Sequence, residues 1–165
     1  MNATPAGNTL EVTLPTDTQI AMTRTLNAPR EIVFDAFTKP ELIKQWLLGP
    51  DGWSMPVCVV DLRIGGTLKY RWRNDEDGKE FGVEGAFRAI ERPARLVHDE
   101  VFDDVPEAGR ATVETTFVER DGATIVTMTV DYGSRSVRDM VIETGMSTGV
   151  ATSYDRLEKV LGLAA

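Results

Sequence analysis

From about residue 52 to 132, apolar and polar positions alternate with a period close to two. That period is the signature of strands with one buried face. Two Asp-Gly pairs interrupt the run, and each fixes a register. A two-residue turn at Asp77-Gly78 sets Arg73 opposite Gly82, Trp72 opposite Val83 and Arg71 opposite Glu84. Leu68, Tyr70 and Trp72 then share a face with Val83, Gly85 and Phe87, while Arg71 pairs with Glu84 on the other. The turn at Asp121-Gly122 pairs Phe117 with Val126, Thr115 with Met128 and Val113 with Val130. A slip of one residue would turn both apolar sets outward. Between the hairpins, Arg95 to Phe102 reads as another strand. An even-length connection before it puts Leu96, His98, Glu100 and Phe102 inside; an odd one puts Val97 and Val101 there. The residues alone leave both open, and the first is preferred.

Outside this run, Leu10 to Leu14 and Gln19 to Leu26 read as strands. Asn27-Ala28-Pro29 opens a helix, with Asn27 as N-cap and Pro29 in the first turn. A second helix runs from Thr38-Lys39-Pro40-Glu41 through Trp46-Leu47-Leu48, where Gly49-Pro50 stops it. Residues 135–162 read as one long helix with a capping box at Ser136 and Asp139. Asp139, Glu143, Met146, Val150, Leu157 and Leu161 fall on one stripe of it.

This order predicts an α+β chain: a curved antiparallel sheet of about six to seven strands wrapped around a long C-terminal helix. Two short helices follow the first long strand. A sheet must bury one face, and the two short helices are too small to cover it. The long helix must do so, leaving a gap between sheet and residues 139–157. Such a gap is apolar with few polar groups, the usual form of a small-molecule site. Residues 1–8 read as a loose tail and 9–165 as a single domain.

Composition narrows the partners. The chain has 165 residues, with 18 Lys+Arg against 26 Asp+Glu, for a net charge of -8. A field of that sign repels nucleic acid and anionic membrane surfaces, so neither is expected as a partner. No apolar run approaches a membrane span. One cysteine, Cys58, excludes an internal disulfide, and one histidine, His98, cannot build a multi-histidine metal site. The first residues do not resemble a secretory signal. The expectation is a cytoplasmic protein without metal or cofactor.

Candidate chemistry is sparse. His98 and Glu100 are two apart on one strand and point to the same side. A histidine beside a carboxylate on a cavity wall can act as general base or acid; a satisfied polar pair at the rim has the same spacing. They are the only catalytic candidates. Trp46, Trp53, Tyr70, Trp72 and Phe102 can line the gap and stack on a ring. Met128, Met140, Met146 and Val150 can form an adaptable apolar lining. Asp139 and Glu143 can meet a cationic or hydroxylated ligand at its mouth, or simply favour the helix start. The turn around Asp61, Arg63, Gly65 and Gly66 is no phosphate loop, lacking the Lys-Ser/Thr pair and a following helix.

Several segments together resemble the bacterial branch of the Hsp90-ATPase-activator-homologue family, within the START/Bet v 1-like superfamily. They are Ala28 to Glu41, Trp46 to Pro50, Asp61 to Gly66, Gly145 to Gly149 and Ser153 to Leu157. Similarity runs from about residue 9 to 161. The resemblance implies a helix-grip fold with an internal cavity for a small hydrophobic ligand, and no defined reaction. It also brings two alternatives: a cyclase or hydrolase using His98 and Glu100, and a protein-binding domain whose partner is a chaperone. A homodimer partner is a further expectation.

Overall fold

The computed structural model describes residues 9–163, so the tail expected at 1–8 lies outside the described residues. In chain order the elements are β1 (Glu11–Thr13), β2 (Gln19–Leu26), α1 (Arg30–Thr38), α2 (Pro40–Trp46), β3 (Trp53–Val60), β4 (Thr67–Asn74), β5 (Glu80–Glu91), β6 (Arg95–Phe102), β7 (Arg110–Arg120), β8 (Ala123–Asp131), α3 (Arg135–Glu143) and α4 (Met146–Val160). The strands form one antiparallel sheet of eight, ordered β1-β2-β8-β7-β6-β5-β4-β3. That is one strand or two more than expected.

The hairpin at Asp121-Gly122 has the expected register, with Phe117 opposite Val126 and Val113 opposite Val130. Asp121 and Gly122 both adopt positive φ, at 53° and 80°, which matches the twist of the flanking strands. The other hairpin differs by two residues. Trp72 faces Phe81 and Arg71 faces Gly82. The cause is Asn74, whose Oδ1 accepts the Glu76 N–H at 2.9 Å. The Asn74 carbonyl accepts the Gly78 N–H at 2.8 Å, so the loop is Asp75 to Gly78 rather than a two-residue turn. An even shift preserves the faces but changes the partners. Arg71 bonds Glu80 and Asp103 instead of Glu84.

Leu96, His98, Glu100 and Phe102 do face inward, by a route other than an even connection. Glu91 pairs with Arg95 across a three-residue turn, and β5 bulges between Phe87 and Ala89. The extra residue shifts the inward set on β5 from odd to even numbers. Phe87 and Ile90 therefore both join the core, and His98 lies opposite Phe87.

The helical segments differ at their ends. Asn27 is exposed and caps nothing. Pro29 takes the N-cap place without a side-chain bond, and the Arg30 N–H is satisfied by Glu119 of β7 at 2.8 Å. The second helix stops at Trp46, ahead of Gly49-Pro50. The long C-terminal helix is two helices, because Gly145 turns left-handed at φ 77° between α3 and α4. Only glycine adopts that conformation without steric cost. The cap of α3 is Ser134 and not Ser136: its Oγ accepts the Val137 N–H at 3.3 Å. The stripe from Asp139 to Leu161 is therefore broken.

Two clusters form the core. One joins α1, α2 and α4 to the middle of the sheet through Phe34, Trp46, Phe117, Tyr154 and Leu157. The other gathers Ile20, Met22, Val113 and Val130 beneath Met146 and Val150. Polar bonds hold α4 along one side. Ser153 Oγ accepts the Gly49 N–H at 2.8 Å, and Arg156 donates to the Trp46 and Gly49 carbonyls, both at 3.0 Å. From the sheet, Arg24 is 2% exposed and pairs with Asp155 and Glu158, both at 2.7 Å.

Two glycines test this packing in opposite directions. A Cβ at Gly85 would stand 1.7 Å from the Asp99 carbonyl oxygen. Gly85→Ala is expected to cost about 3 kcal/mol, lowering Tm by roughly 6–12 °C. A Cβ at Gly149 would meet only Pro50 Cδ, at 3.9 Å. Gly149→Ala is expected to stabilise α4 by up to about 1 kcal/mol. Thermal melts of both variants check the signs; equal effects would contradict this packing.

Candidate functional site

The inner faces of β4, β5 and β6 carry a group of aromatic side chains at the edge of the main core cluster. Trp72, Phe81 and Phe102 are each only partly buried. Trp72 donates its Nε1–H to the Leu47 carbonyl at 2.7 Å, which fixes the indole. Its ring centroid lies 5.1 Å from Phe81 and 6.2 Å from Phe102, with interplanar angles of 29° and 10°. Phe81 and Phe102 are 6.4 Å apart at 29°. Three near-parallel rings at mutual contact distance make an aromatic platform. Trp53 meets Phe81 edge-on at 5.4 Å, and Tyr70 meets Trp72 at 5.9 Å.

One strand further, His98 and Glu100 point to the same side, with Nε2 and Oε2 3.2 Å apart and side-chain exposures of 14% and 18%. Tyr70 and Tyr132 complete the polar part. Burial pushes both phenols above their ordinary range, and the Glu100 carboxylate pushes the same way. At neutral pH they are hydrogen-bond donors, not ions. Cys58, paired with Tyr70 across β3 and β4, is pushed up to about 11 by burial, with Glu41 adding to the rise and Lys44 opposing it. It remains a thiol and serves as apolar wall.

Asp99 faces the opposite side of β6 and holds this strand in place. Its carboxylate is 3% exposed. It accepts the Ala86 N–H at 3.1 Å, Arg88 Nε at 2.7 Å and Arg110 at 2.9 Å. Burial alone would raise its pKa. The Arg88 and Ala86 hydrogen bonds and the two guanidinium charges outweigh that and hold the carboxyl below its usual range.

The other sequence candidates are scattered. Trp46 is 1% exposed, donates to the Ala36 carbonyl at 2.9 Å and packs on Phe37 and Tyr154. It has no accessible face and belongs to the core rather than to this surface. Met128 and Val150 are partly buried over the second core cluster. Met146 borders a hollow of about 230 Å³ with Val12, Leu14, Ile20, Ile142 and Ser147. That volume is below the ~300 Å³ at which small-molecule pockets begin. Asp139 and Glu143 are exposed on α3, and Asp139 is paired with Arg138 at 2.8 Å. A wider groove of about 510 Å³ lies elsewhere, by Arg30, Glu91, Arg95 and Glu119. There Arg95 is tied up by Glu91 and Glu114, and Ala94, Phe117 and Val118 also line the groove.

Sequence reasoning missed Phe81 and Tyr132. Phe81 lies on the inner parity of β5, two before Val83, and Tyr132 continues the inner parity of β8 one residue past its end, two after Val130, so alternation alone would have found them. Arg24 was missed as well. It sits between Met22 and Leu26 on an inner face, where a lone charge demands a partner. Among the described residues, no group of three or more His, Cys, Asp or Glu side chains could hold a metal ion. No helix among them is long and apolar enough to cross a membrane.

Comparison with known proteins follows this geometry. The family described as Activator of Hsp90 ATPase homolog 1-like protein matches residues 27–162. The chain belongs to this family. A crystal structure of a protein from Rhodobacter sphaeroides has 28% identity and a TM-score of 0.87, over 93% of this chain and 99% of that one. An AHSA1-like protein from Aeromonas hydrophila has 23% identity and a TM-score of 0.70, over 88% and 95%. An Hsp90 activator from Plasmodium falciparum shares the fold at 21% identity and a TM-score of 0.64, over 89% and 98%. No curated protein matches. The helix-grip architecture of the family is the one observed here, an antiparallel sheet curved against the C-terminal helices.

The Asp99 arrangement predicts an acid limb. A carboxyl whose folded pKa is depressed contributes stability above its unfolded pKa, near 3.8, and loses it as pH falls through the lower folded value. Asp99→Asn should cost about 2 kcal/mol at pH 7, and the gap to wild type should narrow below about pH 4. Urea melts at pH 7 and pH 3 measure this. A gap that is constant with pH would contradict the assignment.

Proposed function

We propose that the protein binds a small hydrophobic molecule, without a defined reaction, in a cleft that would open between the inner face of β4–β6 and α4. The observation carrying this reading is the partly buried platform of Trp72, Phe81 and Phe102 on a face that should be core. Apolar side chains turned inward but left uncovered represent unfinished burial, and a ligand completes it. Trp53, Tyr70 and Cys58 extend the apolar wall, and His98 and Glu100 offer polar contacts at one end. The pair can also move a proton, which keeps a cyclase or hydrolase activity as the enzymatic form of this reading. A chain with one cysteine, held as a thiol, suits the reducing cytoplasm.

A second reading is a chaperone-binding domain. The family supports it, and so do Val59, Leu62 and Ile64, which are 43%, 40% and 64% exposed along and beyond the edge strand β3. Edges with exposed apolar residues are natural docking sites.

Native mass spectrometry of freshly purified protein, followed by organic extraction, separates the two. The cleft reading expects an added mass that is lost on denaturation. It also expects Val150→Trp, which fills the cleft from α4, to reduce that mass at least tenfold while the protein stays folded. A persistently bare chain, together with ATP-dependent capture of a chaperone that Ile64→Asp abolishes, would overturn it in favour of the second reading.

A further inference from the structure

Resting on the cleft reading, we infer that the molecule held there is a flat aromatic amine in its protonated form. The charges on the inner face are unbalanced. Arg24 is committed to Asp155 and Glu158. Arg138 is committed to Asp139 and the Thr16 carbonyl, and Arg156 to backbone carbonyls and Asp51. Among the described residues, the ionic neighbour of Glu100 is His98 alone, through one carboxylate oxygen. Tyr70 and Tyr132 stay neutral and supply no countercharge. A partly buried carboxylate with one oxygen open therefore lies beside rings whose faces carry negative potential.

Each half of this surface selects the same chemistry. Aromatic faces attract a cation, and more strongly once water is excluded. A carboxylate pairs with an ammonium through short, charge-assisted hydrogen bonds. Glu100 and Phe102 are two apart on one face of β6, so carboxylate and platform are roughly 7 Å apart along the strand. A ring lying on Phe102, at the edge of the platform nearest Glu100, spans that distance with an aminomethyl arm. An anionic ligand such as a fatty acid would find Glu100 repelling it at this end of the surface, where Arg24, Arg138 and Arg156 are already committed.

Three matched probes test this: 1-naphthylmethylamine, 1-naphthalenemethanol and 1-naphthoate, cation, neutral and anion on one ring system. Binding is followed by naphthalene fluorescence at pH 7. The amine should bind at least tenfold more tightly than the naphthoate, with the alcohol between. Glu100→Gln should remove the preference while leaving the alcohol within about twofold. Because the net charge of -8 attracts any cation, Glu84→Gln is the control. It makes the same charge change on the outer face, where Glu84 meets Lys69, and should leave the preference intact. Trp72→Leu should weaken all three probes. Naphthoate binding as well as the amine, or a preference that survives Glu100→Gln or disappears in Glu84→Gln, would overturn the inference while leaving a hydrophobic cleft. Failure of all three probes would overturn the cleft reading and this inference with it.

Discussion

The structure depends on how α4 is held against a sheet wider than itself. Arg24, buried on the inner face of β2, reaches two carboxylates of α4. From the other side, the segment after α2 is bonded by Ser153 and Arg156. A buried guanidinium is tolerated only when its partners are in place, so these bonds fix the helix in one position. In that position the inner faces of β2, β7 and β8 are largely buried, and β4 to β6 are buried at Leu68, Val83, Phe87 and Leu96 but less so at Trp72, Phe81 and Phe102. The break at Gly145 makes α3 a separate helix, which packs Val141 over the second core cluster.

Much follows from that uneven cover. Period-two alternation sends Tyr70, Trp72, Phe81, His98, Glu100 and Phe102 to the inner face, as it sends Phe117 and Val126. The latter two are almost fully buried beneath the helices, while most of the former keep accessible surface. The same sequence rule thus produces core over most of the sheet and a candidate binding surface at one end of β4 to β6. What distinguishes them is the reach of one helix. Asp99 on the outer face and the close approach at Gly85 keep β5 and β6 in the register that brings His98 and Glu100 inward.

The fold was largely legible in the sequence because parity is robust. The Asp121-Gly122 hairpin could be placed residue by residue, since both turn positions favour positive φ. The first hairpin moved by two because Asn74 captured the turn, and no face changed. The inward set on β6 was right although its connection was odd, since a bulge at Arg88 restored the parity; nothing local in Phe87-Arg88-Ala89 announces that bulge. The C-terminal segment was misread as one helix because its apolar stripe continues across Gly145, and a stripe does not show where the backbone turns. The candidate site was legible as a face but not as a surface. Trp46 and Trp72 look alike in sequence, and only the docking of α2 and α4 makes one core and leaves the other open.

The central claim is that the inner face between β4–β6 and α4 is open to an apolar molecule. Photo-crosslinking with benzophenone, a neutral aromatic ketone that inserts readily next to methionine, tests it most directly. The account predicts adducts on peptides carrying Trp72, Phe81 or Phe102, suppressed in Val150→Trp. Adducts confined to outer or edge residues such as Val118, Leu62 or Ile64, with the inner face unlabelled, would contradict it.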